Sequence, residues 1–323
     1  MMKKILLLVS FTLIWLGLVL PVSAQPYPSR PVTIIVPQAP GGTNDTVARI
    51  LAQKLSEQMG QSFIVENRPG AGGNIGTQYV ASAPKDGYTL LLTISSTQAI
   101  NPWLYKSPGF DPIKDFQPIA LVGVVPNVLV VNPSFPAKNL TEFIALAKKN
   151  DPPYLYASAG NGTLNHLLGE MMNESIGGNL GHVPYKGVAP ALNDLLGGQI
   201  SIAFASLPSS IQYIQSGKLR PLGVSSAKRS PFLPNVPAIS ESIPGFSGDL
   251  WIAFFAAKGV PSDIVNKLAN QIQIATSSVD VADKYNTMGI QKLNGGPDKL
   301  GALLSADLNR WKSIVKNSGA SID

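Results

Sequence analysis

The amino-acid sequence contains no cysteine and only two histidines, His166 and His182. Without thiols the chain forms no disulfide and offers no lipid attachment site, and it lacks the nucleophile of a thiol enzyme and most ligands of a zinc site. Neither a Gly-x-Ser-x-Gly elbow nor a His-Glu-x-x-His motif is present. These absences predict no catalytic residue, no metal and no cofactor. A Ser–His hydrolase assembled across loops is the enzymatic alternative left open.

Charged residues are also scarce, at 14% of the chain, and no run of like charge occurs. The formal net charge is +6 at pH 7, and Lys3 and Lys4 contribute two of these charges. The sequence lacks the stripe of basic residues with which nucleic-acid-binding proteins contact phosphates. It therefore predicts no nucleic-acid partner and only a weak general attraction for anionic solutes.

A long apolar run covers residues 5–20, directly after Lys3 and Lys4. The small residues Val22-Ser23-Ala24 follow it, which is the pattern of a signal peptide cleaved after Ala24. A retained membrane anchor is the alternative, but the run is short for a transmembrane helix. We expect residues 1–24 to direct export to the periplasm and the mature protein to be a monomer.

Behind this segment, short strand patterns alternate with helical patterns. The predicted strands cover residues 32–36, 62–66, 88–93, 154–157, 182–185, 200–205 and 221–225. This alternation predicts an α/β protein with largely parallel sheets. Two longer extended segments, 119–131 and about 246–257, predict two lobes joined by a two-strand hinge. We expect residues 25–124 plus 249–323 in lobe 1 and residues 125–248 in lobe 2.

The first candidate loop, Pro40-Gly41-Gly42-Thr43-Asn44-Asp45, follows the strand pattern at 32–36. Thr43, Asn44 and Asp45 are residue types that cap a helix start. A strand, a glycine turn and a helix start together form a site whose backbone N–H groups bind anions. Because Asp45 would repel an anion, we expect it to pair with Arg49, four residues later on the helix.

The second glycine-rich loop covers residues 66–76. It does not match the dinucleotide fingerprint, because the sixth place counted from Gly70 is Ile75 rather than glycine. A tight turn and a backbone wall beside a small ligand are the two interpretations left open. Arg68 could clamp a carboxylate in bidentate fashion, but a structural pair with Glu66, which shares its strand face, is the favoured interpretation.

Two further loops carry polar groups. Ser158–Thr163 combines hydroxyls with backbone N–H groups before a predicted helix at 164–176, which is the donor set that a carboxylate requires. An ordinary helix cap is the alternative there. In the segment His182–Gly187, Tyr185 offers an amphipathic ring and Lys186 a cation, although a solvated surface position is the favoured interpretation of Lys186.

Taken in order, these segments resemble the extracytoplasmic solute receptors of tripartite tricarboxylate transporters, the Bug-type family. The resemblance covers nearly the whole mature chain. The segments that carry it are Tyr27–Pro31, the Pro-Gly-Gly-x-x-Asp-x-x-Ala-Arg pattern from Pro40 to Arg49, Glu66–Gly76, Pro84–Tyr88, Ala159–His166, Val183–Gly187, Asp194–Gln199, Ser226–Ser230 and Pro234–Pro237. It implies a type II-like Venus-flytrap fold that closes on a carboxylated metabolite and a membrane partner with a large and a small subunit.

The resemblance also implies where the solute binds. One carboxylate is expected at the loop Pro40–Asp45, with further contacts from Gly72–Asn74 and Ser158–Thr163, through backbone amides and hydroxyls rather than salt bridges. The candidate ligand-binding residues are Gln38, Pro40, Gly41, Gly42, Thr43, Asn44, Asp45, Gly72, Gly73, Asn74, Ser95, Ser158, Gly160, Asn161, Gly162, Thr163, Tyr185, Ala205 and Ser206.

Two positions depart from the family pattern. Gln38 stands where many relatives carry an aromatic residue, and Ala205 stands where many carry aspartate. The missing carboxylate at Ala205 argues against a solute with an amine. The sequence therefore predicts a periplasmic receptor for a dicarboxylate, a tricarboxylate or a hydroxy acid. Docking of the bound form on a membrane signalling protein, as a sensor, is the alternative to transport.

Overall fold

The structure is a computed structural model that describes residues 26–149 and 152–322. Its strands are β1 (Val32–Val36), β2 (Phe63–Asn67), β3 (Thr89–Ile94), β4 (Phe116–Val125), β5 (Asn127–Val131), β6 (Tyr154–Ser158), β7 (Leu180–Pro184), β8 (Ile202–Ser206), β9 (Arg220–Val224), β10 (Leu250–Ala257) and β11 (Gln291–Gly295). Its α-helices are α1 (Thr43–Met59), α2 (Asn74–Ala81), α3 (Asn101–Leu104), α4 (Leu140–Lys149), α5 (Leu164–Ile176), α6 (Val188–Leu196), α7 (Leu207–Gln215), α8 (Ser262–Ser277), α9 (Val279–Thr287) and α10 (Pro297–Ser318). The predicted signal segment, 1–24, lies outside the described residues. Within the described ranges no helix has the length and apolar character needed to cross a membrane.

The strands form two sheets, one for each lobe. The first has the order β11-β4-β10-β3-β1-β2 and the second the order β7-β6-β8-β5-β9. The chain leaves the first sheet after Val125 and enters the second at Asn127, and it returns between Val224 and Leu250. This double passage confirms the predicted α/β fold with two lobes and a two-strand hinge.

The two passages are bonded to each other at the hinge. The N–H of Asn127 donates to Ser225 Oγ at 3.0 Å, and the N–H of Ser225 donates to the Asn127 carbonyl at 2.8 Å. The carboxylate of Asp249 accepts from the hydroxyls of Ser225 and Ser226 at 3.1 and 2.8 Å. Burial raises the pKa of Asp249 to about 6, although both hydroxyls act to lower it. These hydrogen bonds join the two chain passages at the hinge into one unit.

The prediction of largely parallel sheets is wrong. β1 is parallel to β2 and β3, and β6 is parallel to β7 and β8, but β4, β5 and β10 pair with their neighbours in antiparallel fashion. β4, β5 and β10 adjoin the hinge passages. Each runs opposite to the parallel strands of its own sheet because the chain enters that sheet from the other end. Each of the parallel strands β1, β2, β3, β6 and β7 is followed by candidate residues.

Element boundaries follow the strength of the apolar pattern. The helix predicted at 164–176 is confirmed as α5. The apolar residues 251–257 are all buried in β10, as expected for a strand that is covered on both faces. α9 and β11 were not predicted, because both are short and expose polar residues that carry little periodic signal.

Candidate functional site

A cavity of about 320 Å³ lies between the two lobes. Its walls come from the loops after β1, β2 and β3 of the first sheet and from the loop after β6 of the second, where folds with parallel strands bind ligands. The lining residues are Gln38, Gly72, Ile94, Ser96, Thr97, Asn101, Leu104, Tyr105, Asn161, Gly162, Thr163, Leu164, Asn165, Leu250 and Ile322. None of these side chains carries a charge at neutral pH. The cavity is therefore a neutral site that faces both lobes.

Gln38 reaches the cavity from the first loop with its amide held at both ends. Its Nε2 donates to Thr97 Oγ1 at 3.2 Å, and its Oε1 accepts from Asn44 Nδ2. Asn44 also donates to the Leu92 carbonyl at 3.1 Å, which ties the start of α1 to β3. Gln38 thus presents an oriented amide to the cavity, and the buried Asn44 supports it from behind.

Asp45 fixes the first loop from inside the lobe. Its carboxylate accepts from the Gly41 N–H, from Arg49 Nε and from Asn67 Nδ2, each at 3.0 Å. Burial acts to raise the pKa of this carboxyl, but the bonds from Arg49, Gly41 and Asn67 outweigh it and hold the pKa of Asp45 below its usual range. The predicted pair with Arg49 is confirmed, and Asp45 is an anchor of the loop.

The start of α1 differs from the predicted cap. The helix begins at Thr43, and the residue before it is Gly42, which has no side chain to accept a bond from the first-turn amides. The prediction that Thr43, Asn44 or Asp45 caps this helix is therefore wrong. The segment 40–42 is exposed and Thr43 is half-buried, and none of these residues belongs to the cavity lining.

Gly72 gives the cavity a wall of backbone. Its carbonyl accepts from Thr97 Oγ1 at 3.2 Å and from Asn101 Nδ2 at 3.0 Å. Gly73 has φ +98°, and a Cβ there would lie 2.9 Å from Thr97 Oγ1, so only glycine fits. Asn74 is buried behind it and accepts from Asn101 Nδ2 at 2.6 Å. The second loop is thus a tight turn and a cavity wall at once.

The basic residues that could have clamped a carboxylate are used elsewhere. Arg68 Nε donates to Glu66 Oε1 at 2.6 Å, and its guanidinium lies 3.6 Å from the ring centroid of Tyr79. The predicted structural pair is confirmed, and Lys186 is exposed as expected. In the described ranges no three His, Cys, Asp or Glu side chains cluster in a way that could hold a metal ion. Any anion in the cavity would be held by neutral donors.

Asn161, Gly162 and Thr163 line the cavity from the second lobe. The N–H of Gly162 donates to His166 Nδ1 at 3.0 Å. The Thr163 hydroxyl donates to the Gly160 carbonyl at 2.7 Å and accepts from the His166 N–H at 3.4 Å, so Thr163 is the N-cap of α5. The helix-cap alternative is therefore correct for Thr163, and the same turn faces the cavity.

Two imidazoles support this third loop from behind. Ser158 is fully buried, and its Oγ lies 2.6 Å from His182 Nε2 and accepts from the Gly160 N–H at 3.0 Å. The His182 ring stacks on His166 with centroids 3.9 Å apart. Because the Ser158 hydroxyl has no exposed surface, it cannot reach a molecule in the cavity. Its pairing with His182 holds the loop in shape.

We expect both imidazoles to titrate near pH 4 in the folded protein. Burial lowers the pKa of His166 and of His182 to about 4, and the neighbouring His166 adds to the effect on His182. The stability gained from neutral imidazoles is fully present above about pH 6.5, the value for the unfolded chain, and is lost as the pH falls through about 4. Nitrogen-15 NMR of the two imidazoles measures this directly. A pKa at or above 6.5 for His166 would contradict the burial of this pair.

The turn after β3 supplies residues that sequence reasoning missed. Ser96 and Thr97 belong to a π-helix, Ser96–Ile100, and line the cavity together with Asn101. Such helices are frequent at functional sites. The sequence carries a signal there, because a hydroxyl-rich stretch follows a buried strand, but among these residues Ser95 alone is a predicted ligand contact. Ser95 is buried and donates to the Asp249 carbonyl at 3.3 Å, which places it at the hinge.

Other lining residues arrive from distant parts of the chain. The N–H of Ile322 donates to the Leu104 carbonyl at 3.1 Å, and Ile322 forms a bridge with Tyr105. Asn165 Nδ2 donates to Asn127 Oδ1 at 2.8 Å, which joins the cavity to the hinge. No local sequence pattern marks these positions, because their role depends on tertiary contacts alone.

Three predicted residues lie in the second lobe outside the cavity lining. The Tyr185 hydroxyl donates to Asp194 at 2.8 Å, and the hydroxyls of Ser206 and Ser209 are 2.7 Å apart. Ala205 has no exposed surface and packs in the apolar core of its lobe. The burial of this alanine does not bear on what an aspartate in its place would contact, so the absence of an amine in the solute stays a prediction.

Comparison with known proteins agrees with this geometry. The chain is 36% identical over 323 residues to Protein BugT of Bordetella pertussis, covering 99% of each chain. It is 35% identical to R. palustris Rpa4515, solved with adipate, with a TM-score of 0.79 and coverage of 91% of this chain and 99% of that one. It is 30% identical to MatC from Rhodopseudomonas palustris, solved with bound malate, with a TM-score of 0.75 and coverage of 90% and 100%.

A family model described as the tripartite tricarboxylate transporter family receptor matches residues 47–320. This match includes the whole second sheet, every strand of the first sheet except β1, and the loops after β2, β3 and β6 that line the cavity. The chain therefore belongs to the receptor family of the tripartite tricarboxylate transporters and has its two-lobed binding-protein fold.

Proposed function

We propose that this protein is a periplasmic receptor that captures a small carboxylate between its lobes and delivers it to a membrane transporter with a large and a small subunit. The observation that carries the proposal is the cavity between the lobes, which is lined by neutral hydrogen-bonding groups from both. Family membership and the carboxylates in two similar structures support it.

In this proposal, residues 25–124 plus 249–323 form lobe 1, residues 125–248 form lobe 2, and residues 1–24 direct export of a monomer.

Closure about the hinge brings Gln38 and Thr97 toward Asn161 and Thr163. Hydrogen bonds to a charged group contribute about 1.5–3 kcal/mol each. Three or four of them would offset the ordering costs and leave a micromolar complex, at about −8 kcal/mol. The open start of α1, before Thr43, is a further proposed contact.

Capture without a chemical step agrees best with the site. A hydrolase would need an accessible nucleophile, and the Ser158 hydroxyl beside His182 is fully buried. The chain has only these two histidines as imidazole bases, and both support the third loop. The proposed product of binding is a closed form that a transporter can distinguish from the open one.

Calorimetric and thermal-shift titration of refolded protein, freed of carried-over solute, tests the capture of an acid. A carboxylate at about 100 times its dissociation constant should add about 2.7 kcal/mol of stability. Thr97→Val removes a hydroxyl that bonds Gln38 and Gly72, so we expect it to weaken binding about tenfold, the loss of roughly one hydrogen bond. Thr287→Val, at an exposed helix end, is the matched control. No stabilisation by any carboxylate would refute the proposal.

The sensor alternative uses the same bound form with a different membrane partner. Deletion of the gene should abolish uptake of the bound acid if delivery to a transporter is the role. Normal uptake combined with loss of a transcriptional response to the acid would assign the protein to signalling instead.

A further inference from the structure

Five aliphatic side chains form a wall of the cavity between the lobes. Four of them, Ile94, Leu104, Leu250 and Ile322, come from the first lobe, and Leu164 comes from the second. Ile94, Leu250 and Ile322 are half-buried, so part of each side chain remains open to the cavity. A solute that fills the cavity must lie against hydrocarbon over part of its length.

This wall is held in place by backbone contacts. The N–H of Ile322 donates to the carbonyl of Leu104 at 3.1 Å, and Ile322 forms an isolated parallel bridge with Tyr105. Leu104 packs against Gly162 of the other lobe so closely that a Cβ on Gly162 would lie 2.1 Å from Leu104 Cδ2. The aliphatic wall therefore spans the junction of the two lobes and is not a mobile surface patch.

The polar part of the lining is small and neutral. The amides of Gln38, Asn101, Asn161 and Asn165 and the hydroxyls near them can satisfy carboxylate oxygens, but no cation among the lining residues compensates further charge. Several of these groups are already bonded, as Gln38 is to Thr97 and Asn44. A hydroxyl, an amine or a third carboxylate on the body of the solute would be desolvated against aliphatic side chains, which is costly.

We infer that the solute is a carboxylic acid whose body is unsubstituted hydrocarbon, either an aliphatic chain or a ring, rather than a hydroxy acid, an amino acid or a tricarboxylate. This inference rests on the proposed function and narrows the solute class. The acids in the two similar structures differ in this respect, because adipate has an unsubstituted chain and malate carries a hydroxyl. The aliphatic wall of this chain favours an acid of the unsubstituted type.

Matched acids measured by calorimetry on the refolded protein test the inference. The pairs are succinate with malate, glutarate with 2-hydroxyglutarate, and tricarballylate with citrate. We expect the hydroxyl-free member to bind about tenfold more tightly, which is the cost of one buried and poorly bonded hydroxyl. Along the unsubstituted series, affinity should rise about fourfold for each added methylene until the cavity is full.

The outcomes separate the inference from the function on which it rests. If malate or citrate binds as tightly as its hydroxyl-free partner, or if tricarballylate exceeds the dicarboxylates, the inference is overturned and the carboxylate receptor stands. If no acid of any kind binds, the proposed function fails and the inference falls with it.

A single substitution tests whether the aliphatic wall causes the preference for hydroxyl-free acids. Ile322→Thr keeps a branched side chain but places a hydroxyl in the cavity, so the preference for glutarate over 2-hydroxyglutarate should fall at least about threefold. Ile274→Thr makes the same change on α8, where the side chain is 48% exposed, and should leave the preference unchanged. An equal preference in wild type and Ile322→Thr would overturn the role of Ile322 in the wall.

Discussion

Gly162→Ala is expected to weaken solute binding roughly 10- to 100-fold, through about 1–3 kcal/mol of overpacking between the lobes. The new Cβ would lie 2.1 Å from Leu104 Cδ2 and 2.8 Å from Cδ1. Leu104 is only 3% exposed, so its side chain cannot swing aside freely. The lobes would be held apart, and the apparent affinity falls with the fraction of molecules able to close. Calorimetric titration of wild type and variant with the same acid measures the change.

The fold offers a control with the same backbone strain. Gly217 has the same φ as Gly162, +71°, but a Cβ there meets nothing within 4 Å. Gly217→Ala should therefore lower stability to a similar extent while affinity is unchanged. Adding Leu104→Ala to Gly162→Ala removes the clash and should restore part of the lost affinity. If Gly162→Ala binds as tightly as wild type, the packing of Gly162 on Leu104 is not part of the bound state.

Asp45→Ala is expected to have the largest effect on folding among the candidate site residues, a loss of about 2–4 kcal/mol. Asp45 is 4% exposed, and its removal leaves the Gly41 N–H, Arg49 and Asn67 without the acceptor that they share. The first loop would lose its anchor and Gln38 its fixed position, so affinity should fall as well. Urea unfolding measures the stability.

The matched change on the surface should have little effect. Asp86 pairs with Arg30 at 2.8 Å and accepts from the Tyr88 N–H at 3.0 Å, but both members of the ion pair are well exposed, so Asp86→Ala should cost only about 1 kcal/mol. The pH dependence of the Asp45 contribution is a second readout. Because the pKa of Asp45 is lowered in the folded protein, its contribution is present above the ordinary aspartate pKa and disappears as acid titrates it. Equal losses in both variants would mean that Asp45 is not an anchor.

How far the sequence predicted this site depends on the range of the contacts involved. Gly72 and the turn 161–163 carry local signals, because each lies in a glycine-containing loop after a parallel strand, whereas Gln38 was predicted from the family resemblance. Asn101 and Ile322 were not predicted, since their position at the cavity arises only when distant segments pack. Sequence patterns detect loops that begin at strand ends, and they do not detect walls assembled by tertiary contact.

The same limit explains why several predicted contacts support the loop instead. Asn44, Asp45 and Ser158 are short polar residues beside a helix start, a place where such side chains bond either to a ligand or to nearby backbone. Here they bond to Leu92, to Gly41 and Asn67, and to Gly160 and His182. Only burial distinguishes these two uses, and burial depends on the whole fold.

The measurement that tests the central claim most directly is a crystal structure of the protein with the acid that binds most tightly in the titrations. We expect the solute in the cavity between the lobes, with a carboxylate within hydrogen-bonding distance of Gln38, Thr97 or Asn161 and its hydrocarbon body against Leu250 and Ile322. A solute bound outside this cavity, or one that contacts a single lobe, would contradict capture by closure of the two lobes.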